Sequence, residues 1–437
     1  MFRRHSDENF LSICLTLTLS FLMVATCAAA AEDTSYVAPW GDSENPGTKE
    51  DPWGSISYAV TQLQPGSTLV LLPGAYKGAR IQKVHGTSEE TIVIRGQNRQ
   101  ACIINGAARR EGEYKGGRDA IWFDHCSHMV LENVSLINAP RAGVLVGQSH
   151  HITVRDCLVR GNTEWGLFTN HSPHVTFENC EVSGSEDQHG IYFANGGSDH
   201  CVARGNIIHH NAQCGIQVNG DPAAGGDGII SDVLIEKNVI HHTGENGGAA
   251  MNMTFIQDSV IRNNLCYANE AGGIVIYRDA HKAPDKYSRG IKVLNNTVYF
   301  APDTGRWAFT AQYKSRDITV LNNIFYGGRY GAHAVSSDSQ KGLVSTHNVI
   351  YNHPGQGKLG DSSEGWNYAV EEWKQKGYDR NSRFKNPQFV NPKKGDFHVK
   401  GGSPAIGLGT ALPGVEEDLE GKQRPQEALT AGCYEHH

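Results

Sequence analysis

The sequence predicts an all-β solenoid with short N- and C-terminal helical caps, and three observations carry that prediction. The segments AGVLV, WGLFT, HGIYF, CGIQV, GAAMN and GGIVI repeat a glycine followed by apolar alternation. Their glycines are Gly143, Gly166, Gly190, Gly215, Gly248 and Gly273, spaced 23, 24, 25, 33 and 25 residues apart. A second column, Asn133, Cys157, Cys180, Asn206, Asn238, Asn264, Asn296, Asn323 and Asn348, returns once per period. Finally, 50 glycines in 437 residues supply tight turns, while long helical patterns are scarce. One coil of about 25 residues cannot bury its apolar face alone, whereas stacked coils bury a continuous core. Asparagine suits a repeated turn because its side chain bonds backbone and tolerates unusual dihedrals.

Taken in order, residues 1–31 read as a secretory signal: Arg3 and Arg4, an apolar run from Leu11 to Val24, then small residues up to Ala31. That run is too short to predict a membrane span. A secreted or periplasmic protein is expected. Residues 54–64 form a candidate helix over the first coil, and Thr68–Leu72 the first strand. The coils then run to residue 352, so that 32–352 is one solenoid with its N-terminal cap. Residues 353–437 are a C-terminal cap and tail. Trp366, Ala369, Val370 and Trp373 have the spacing of a covering helix. Caps are needed because an open solenoid end exposes core and unpaired strand edges. Eight cysteines follow the signal, none in a CxxC pair, which argues against a zinc ribbon. Cys157 and Cys180 are expected as small buried substitutes for asparagine. The net charge of −7 offers nucleic acid no basic face.

The opening YVAPWGDSENPGTKEDPWGSISYAVTQLQPGSTLVLLPGAYKG, the coils from Ala120 to Val349, and the ending WKQKGYDRNSRFKNPQFVNPKKGDFHVKGGSPAIGLG together resemble secreted right-handed parallel β-helix proteins of the pectate-lyase-like superfamily. The N-terminal cap is similar to that of family 9 pectate lyases. The resemblance implies a right-handed parallel β-helix and a polysaccharide ligand. It does not fix the activity, because the superfamily includes lyases, hydrolases and epimerases. The paired-Asp motifs of polygalacturonases and the calcium-binding acidic cluster of family 9 lyases have no counterpart. GIVIYRD is vaguely like the Arg-bearing strand of alginate epimerases, without their preceding Asp-Pro-His-Asp motif.

With each column glycine as zero, positions +1 and +3 are apolar and point inward, so +2 and +4 point outward. The outward +2 residues are Phe168, Tyr192, Gln217, Ala250 and Val275; the outward +4 residues are Asn170, Ala194, Asn219, Asn252 and Tyr277. Glycine and ladder residue are 16 apart at Gly190 and Gly248 but 23 apart at Gly215 and Gly273. The extra residues are GDPAAGGDG and RDAHKAPDKYSRG, expected as two walls beside the coil that bears Asn252. Between Arg278 and Arg316 eight basic side chains face three acidic ones, a local field that would suit an anionic polymer.

This pattern favours a secreted carbohydrate-active protein, most simply a lyase cleaving an acidic polysaccharide by β-elimination. That chemistry needs a base and a group that stabilises the enolate-like intermediate. Arg278 is the candidate neutraliser. Tyr277, His281 and Lys282 are candidate bases, Lys282 requiring a lowered pKa. Asp221, Asp227 and Asp279 are the alternative stabiliser if they hold Ca²⁺. Otherwise Asp221 with Asp279, or with Asp187, is the carboxylate pair of a glycoside hydrolase; a uronate epimerase is the third enzymatic alternative. Tyr192, Asn195, Gln217, Asn219, Asn252, Asp279 and His189 are candidate substrate contacts, with Trp165 and Phe168 for sugar stacking. A noncatalytic polysaccharide-binding module is the alternative of a different class. The histidine pairs His209-His210 and His241-His242 lack a fixed partner set and argue against a metal site. A monomer is expected.

Overall fold

The computed structural model describes residues 33–107, 118–279, 283, 285–353, 359 and 368–437. The signal at 1–31, His281, Lys282 and Trp366 lie outside them. Among the described residues, no helix is long and apolar enough to cross a membrane.

The repeat folds as a parallel β-helix. Each coil contributes one strand to each of three sheets, and each strand pairs in parallel with its counterpart one coil away. In one coil Ala142–Gly147 lies in sheet III, His150–Arg155 in sheet I and Leu158–Arg160 in sheet II, before Trp165–Asn170 returns to sheet III. Sheets I, II and III hold 12, 11 and 10 described strands. Leu167, Ile191, Ile216, Met251 and Ile274 stack inward without exposure, and rings stack likewise, Phe177 on Phe193 at 5.5 Å.

The glycine column is a packing requirement. A Cβ on Gly215 would sit 2.4 Å from Ile240 and 2.7 Å from the Ala250 carbonyl, and one on Gly273 2.1 Å from the Ala308 carbonyl. Register corrects the sequence alignment here. Ile216 pairs with Met251 and Gln217 with Asn252, so the counterpart of Gly215 is Ala250, not Gly248. The turn before that strand carries three more residues than the turns of the coils on either side, and Gly248 serves it with φ +94°. Ala250 is therefore core, and Asn252 belongs to the +2 file.

The asparagine ladder begins at Asn206 and runs through Asn238, Asn264, Asn296 and Asn323 to Asn348. Each amide carbonyl accepts from the backbone N–H and side-chain N–H of the preceding rung, at 2.9–3.1 Å. Cys180 and Cys157 precede it as buried free thiols. Asn133 is not a rung. Leu158 pairs with Ser135, so the rung in that coil is Val134, and Asn133 takes the left-handed turn position before it at φ +58°. Beside the ladder, Arg95, Glu132 and Arg155, then Arg204, Glu236 and Arg262, form alternating ion pairs across successive coils of sheet I.

Both ends are covered. At the first, the helix Ile56–Ala59 and the 3₁₀ turn Val60–Gln62 bury Ile56, Ala59, Val60 and Leu63, although the strand Thr34–Val37 already precedes Thr68–Leu71 in sheet I. At the second, the helix Val370–Gln375 buries Trp373 against Tyr368, Tyr378 and His333, and its indole donates to Asp379 at 2.8 Å. The tail lies along the flank of sheet II. Phe389 and Phe397 pack on Tyr299, and Arg424 is buried in an ion pair with Glu435 at 3.0 Å.

Candidate functional site

Sheet III carries the features that set one surface apart. Register aligns Trp122, Leu145, Phe168, Tyr192, Gln217, Asn252 and Val275 in one outward file, one residue per coil. Its first half is aromatic. Trp165 stacks on Phe168 at 4.2 Å, Phe168 on Tyr192 at 5.4 Å, and the Arg80 guanidinium lies 4.2 Å over Trp122. Parallel strands bring these side chains into contact from coil to coil, and Leu145 and Phe168 are buried within the cluster they form.

At Tyr192 the file turns polar, and the next residues form one hydrogen-bonded patch. The Asn252 amide donates to Gln217 Oε1 at 2.8 Å and meets the Tyr277 hydroxyl at 3.4 Å. Asn219 donates to the Tyr192 hydroxyl at 3.3 Å, and the Cys214 thiol approaches Gln217 Oε1 at 3.3 Å. His189 sits edge-on to Tyr192, ring centres 5.2 Å apart, and its Nδ1 lies 3.2 Å from the Cys214 N–H. Nδ1 must accept from that amide, so the ring hydrogen is assigned to Nε2. Burial lowers the His189 pKa to about 4, leaving a neutral imidazole at neutral pH. Burial also raises Tyr192 to about 12 and raises Tyr277, so both phenols stay protonated. The patch therefore presents amides, phenols and a neutral imidazole.

The structure thus gathers His189, Tyr192, Gln217, Asn219, Asn252 and Tyr277. Cys214, Trp122 and Leu145 join them without having been singled out in the sequence; strand register is what places them. Asn195 lies beyond the strand at φ +68° and donates to Asn170 at 2.6 Å. Asp221 caps the turn Pro222–Ala224, accepting from Ala223, while Asp227 accepts from Ile229 at 3.0 Å. Arg278 is almost fully buried, its guanidinium 5.3 Å from the Tyr287 ring, which it shares with Arg316 at 4.6 Å.

Two expectations change. The long loops do not stand apart as walls of a groove: Ile229 of one and Ala283 of the other pack on Phe255, and the Lys286 ammonium donates to the Asp227 carbonyl. They make one bridged rim at the edge of sheet III, because the apolar Phe255 between them is covered from both sides. Nor are the aspartates gathered for calcium. Among the described residues, the one group of three His, Cys, Asp or Glu ligands mutually within 4.8 Å is His128, His150 and His151; Asp221, Asp227 and Asp279 form none. Asp221 and Asp227 instead lie on the loop after the strand Ile216–Asn219, and Asp279 follows the strand Gly272–Tyr277. Asp221 acts electrostatically on Tyr192 and Asp279 on Tyr277.

Comparison with known proteins agrees with this architecture. Residues 35–181 match the family model described as Pel9A-like, right handed beta helix region, and residues 223–372 match right handed beta helix region. A curated relative, uncharacterized protein YwoF of Bacillus subtilis (strain 168), is 27% identical over 347 residues, 75% of this chain and 70% of its own. The pectate lyase Pel9A structure superposes with a TM-score of 0.65 at 16% identity, covering 92% of this chain and 96% of that one. A rhamnogalacturonan lyase superposes with a TM-score of 0.52 at 14% identity, covering 82% and 90%. Three parallel sheets, one strand of each per coil, and matches of this kind along most of the described chain lead to one conclusion: the protein is a right-handed parallel β-helix protein, pectate-lyase-like in fold.

Proposed function

We propose that the chain is a carbohydrate-active β-helix protein that binds a polysaccharide across the coils of sheet III and cleaves it by β-elimination. One observation carries this: the outward file runs from the apolar and aromatic residues Trp122, Leu145, Phe168 and Tyr192 to Gln217 and Asn252, whose amides meet each other and the Tyr277 hydroxyl. Aromatic faces suit the apolar faces of sugar rings, and amides suit their hydroxyls. Lys286, which joins the two long loops, would favour an acidic polymer at this rim, where Asp221, Asp279 and Asn195 also lie; Lys292 of the same basic stretch lies in sheet I. Two relatives in fold are described as a pectate lyase and a rhamnogalacturonan lyase, which supports the lyase class.

The raised pKa of Tyr277 is consistent with a proton-donor role in this reading. A phenol held protonated fits the acid that supplies a proton to the departing glycosidic oxygen, and does not fit the base. Lys282, outside the described residues, remains the candidate base by sequence. Arg278, the candidate neutraliser, is buried beside Tyr287.

A second reading is favoured by the same patch. Amides, protonated phenols and a neutral histidine are what a noncatalytic glycan-binding module needs. A polymer screen separates the two. The full chain is incubated with pectate, alginate, other uronic polymers and neutral glycans, with and without Ca²⁺, while near-ultraviolet absorbance and reducing ends are followed. Absorbance of unsaturated products is expected with an acidic polymer. Reducing ends without absorbance would move the case to a hydrolase, and binding without product to the module.

A further inference from the structure

A second array of functional groups lies outside the sheet III patch. His128, His151, His174 and His200 occupy the same turn in four successive coils, each in the left-handed region with φ between +52° and +56°. Their rings stack in a column, centres 4.5, 4.4 and 4.6 Å apart. Asparagine, aspartate and histidine are all enriched at left-handed positions, and the later coils use Asp232 and Asp258 there. What sets these four histidines apart is that their rings stack in register from coil to coil.

At the start of the column, the neighbouring strand position adds His150. It pairs with Ser127 across the coils, which brings His150 and His151 beside His128. One nitrogen from each of the three lies within 4.8 Å of the others. The Nδ1 atoms of His150 and His151 are 2.9 Å apart. Two nitrogens bound about 2.0–2.1 Å from one ion are about 2.9 Å apart at the right angle of a tetragonal Cu²⁺ or Ni²⁺ site and about 3.3 Å apart at the tetrahedral angle of Zn²⁺, so a small ring movement suits either. His150 and His151 are exposed and His128 half-buried, so an ion has open access and coordination positions left for water.

We propose that His128, His150 and His151 form a binding site for a borderline transition-metal ion, Zn²⁺, Ni²⁺ or Cu²⁺, that ties two successive coils together at the edge of sheet I. Imidazole selects these ions over Ca²⁺ and Mg²⁺, which prefer oxygen. No proton need be lost. In the metal-free pair one Nδ1 donates to the other; on binding, that hydrogen moves to Nε2 of its own ring and both Nδ1 lone pairs face the ion. Because the ion spans two coils and binds the folded chain, it stabilises the solenoid.

The test uses the metal-stripped full chain, titrated calorimetrically with ZnCl₂ and, separately, CaCl₂. The double variant His150→Gln, His151→Asn keeps a residue that tolerates the left-handed turn. The control is His210→Asn, His242→Asn, from the other histidine stack. Expected are one Zn²⁺ per wild-type chain and per control chain, a rise in thermal midpoint with Zn²⁺ in both, loss of both effects in the double variant, and no Ca²⁺ response. Electron paramagnetic resonance of the Cu²⁺-loaded wild type, which needs no variant to fold, should show nitrogen ligands. No Zn²⁺ uptake by the wild type, uptake that survives in the double variant, or copper bound by oxygen alone overturns the proposal.

Discussion

The asparagine ladder and the outer file of sheet III are both built from one residue per coil, yet they are opposite in kind. Between Asn206 and Asn348 the ladder repeats one residue six times, each buried, each bonded to the next in the same way. The outer file never repeats: Trp122, Leu145, Phe168, Tyr192, Gln217, Asn252, Val275. A column that satisfies the backbone faces the same demand in every coil, so the same side chain answers it. A column facing a ligand meets different chemistry at each step. Uniform columns therefore hold this solenoid together, and under the proposed function the varied column would give it specificity.

The largest expected effect is on activity. Tyr277→Phe removes only a hydroxyl and should leave the thermal midpoint within a few degrees of wild type. If Tyr277 supplies the proton, turnover of the acidic polymer should fall about 10²–10⁴-fold. A fall below tenfold would sink that role and leave the phenol a binding contact.

The ladder should break in the other sense. Asn264 accepts from Asn238 and donates to the Ile235 carbonyl and Asn296, all at 2.9–3.0 Å and all buried. Asn264→Leu strands those groups, at about 1–3 kcal/mol each. Denaturant unfolding should show a loss of several kcal/mol while the residual folded protein still binds ligand. An unchanged midpoint would mean that the rungs are decorative.

His189 links the two regions, being buried like a rung and placed beside Tyr192. Its folded pKa of about 4 lies below the unfolded value of about 6.5. The unfolded chain thus takes up the proton first. Stability should be complete above about pH 6.5 and fall by about 3 kcal/mol as pH drops to about 4. His189→Gln should flatten that part of the pH–stability profile; a slope as steep as wild type would assign the effect to other groups.

The smallest effect is expected at the aromatic half. Trp165→Ala should weaken glycan affinity by about 1 kcal/mol, roughly fivefold. Affinity unchanged in this variant would move the ligand off Trp165.

The fold was legible because its signal is local and repeats: period, glycine corner and buried asparagine recur within each coil. The slips came where one coil departs from the period. Gly248 mimics the column because the three-residue insertion before Ala250 is invisible without register, and Asn133 mimics a rung because two adjacent turn positions both tolerate asparagine. The meeting of the long loops over Phe255, and the packing of Phe389 and Phe397 on Tyr299, are contacts between distant segments that no period encodes. The histidine column is legible in the sequence: His128, His151, His174 and His200 are spaced 23, 23 and 26 residues apart, in step with the coils.

The most direct measurement sets Tyr277→Phe against Asn264→Leu in one assay, polymer cleavage at a temperature where circular dichroism shows both variants folded. The account predicts that Asn264→Leu retains near wild-type turnover per folded molecule while Tyr277→Phe loses it. Turnover lost in the ladder variant and kept in Tyr277→Phe would contradict the division between a structural ladder and a functional face.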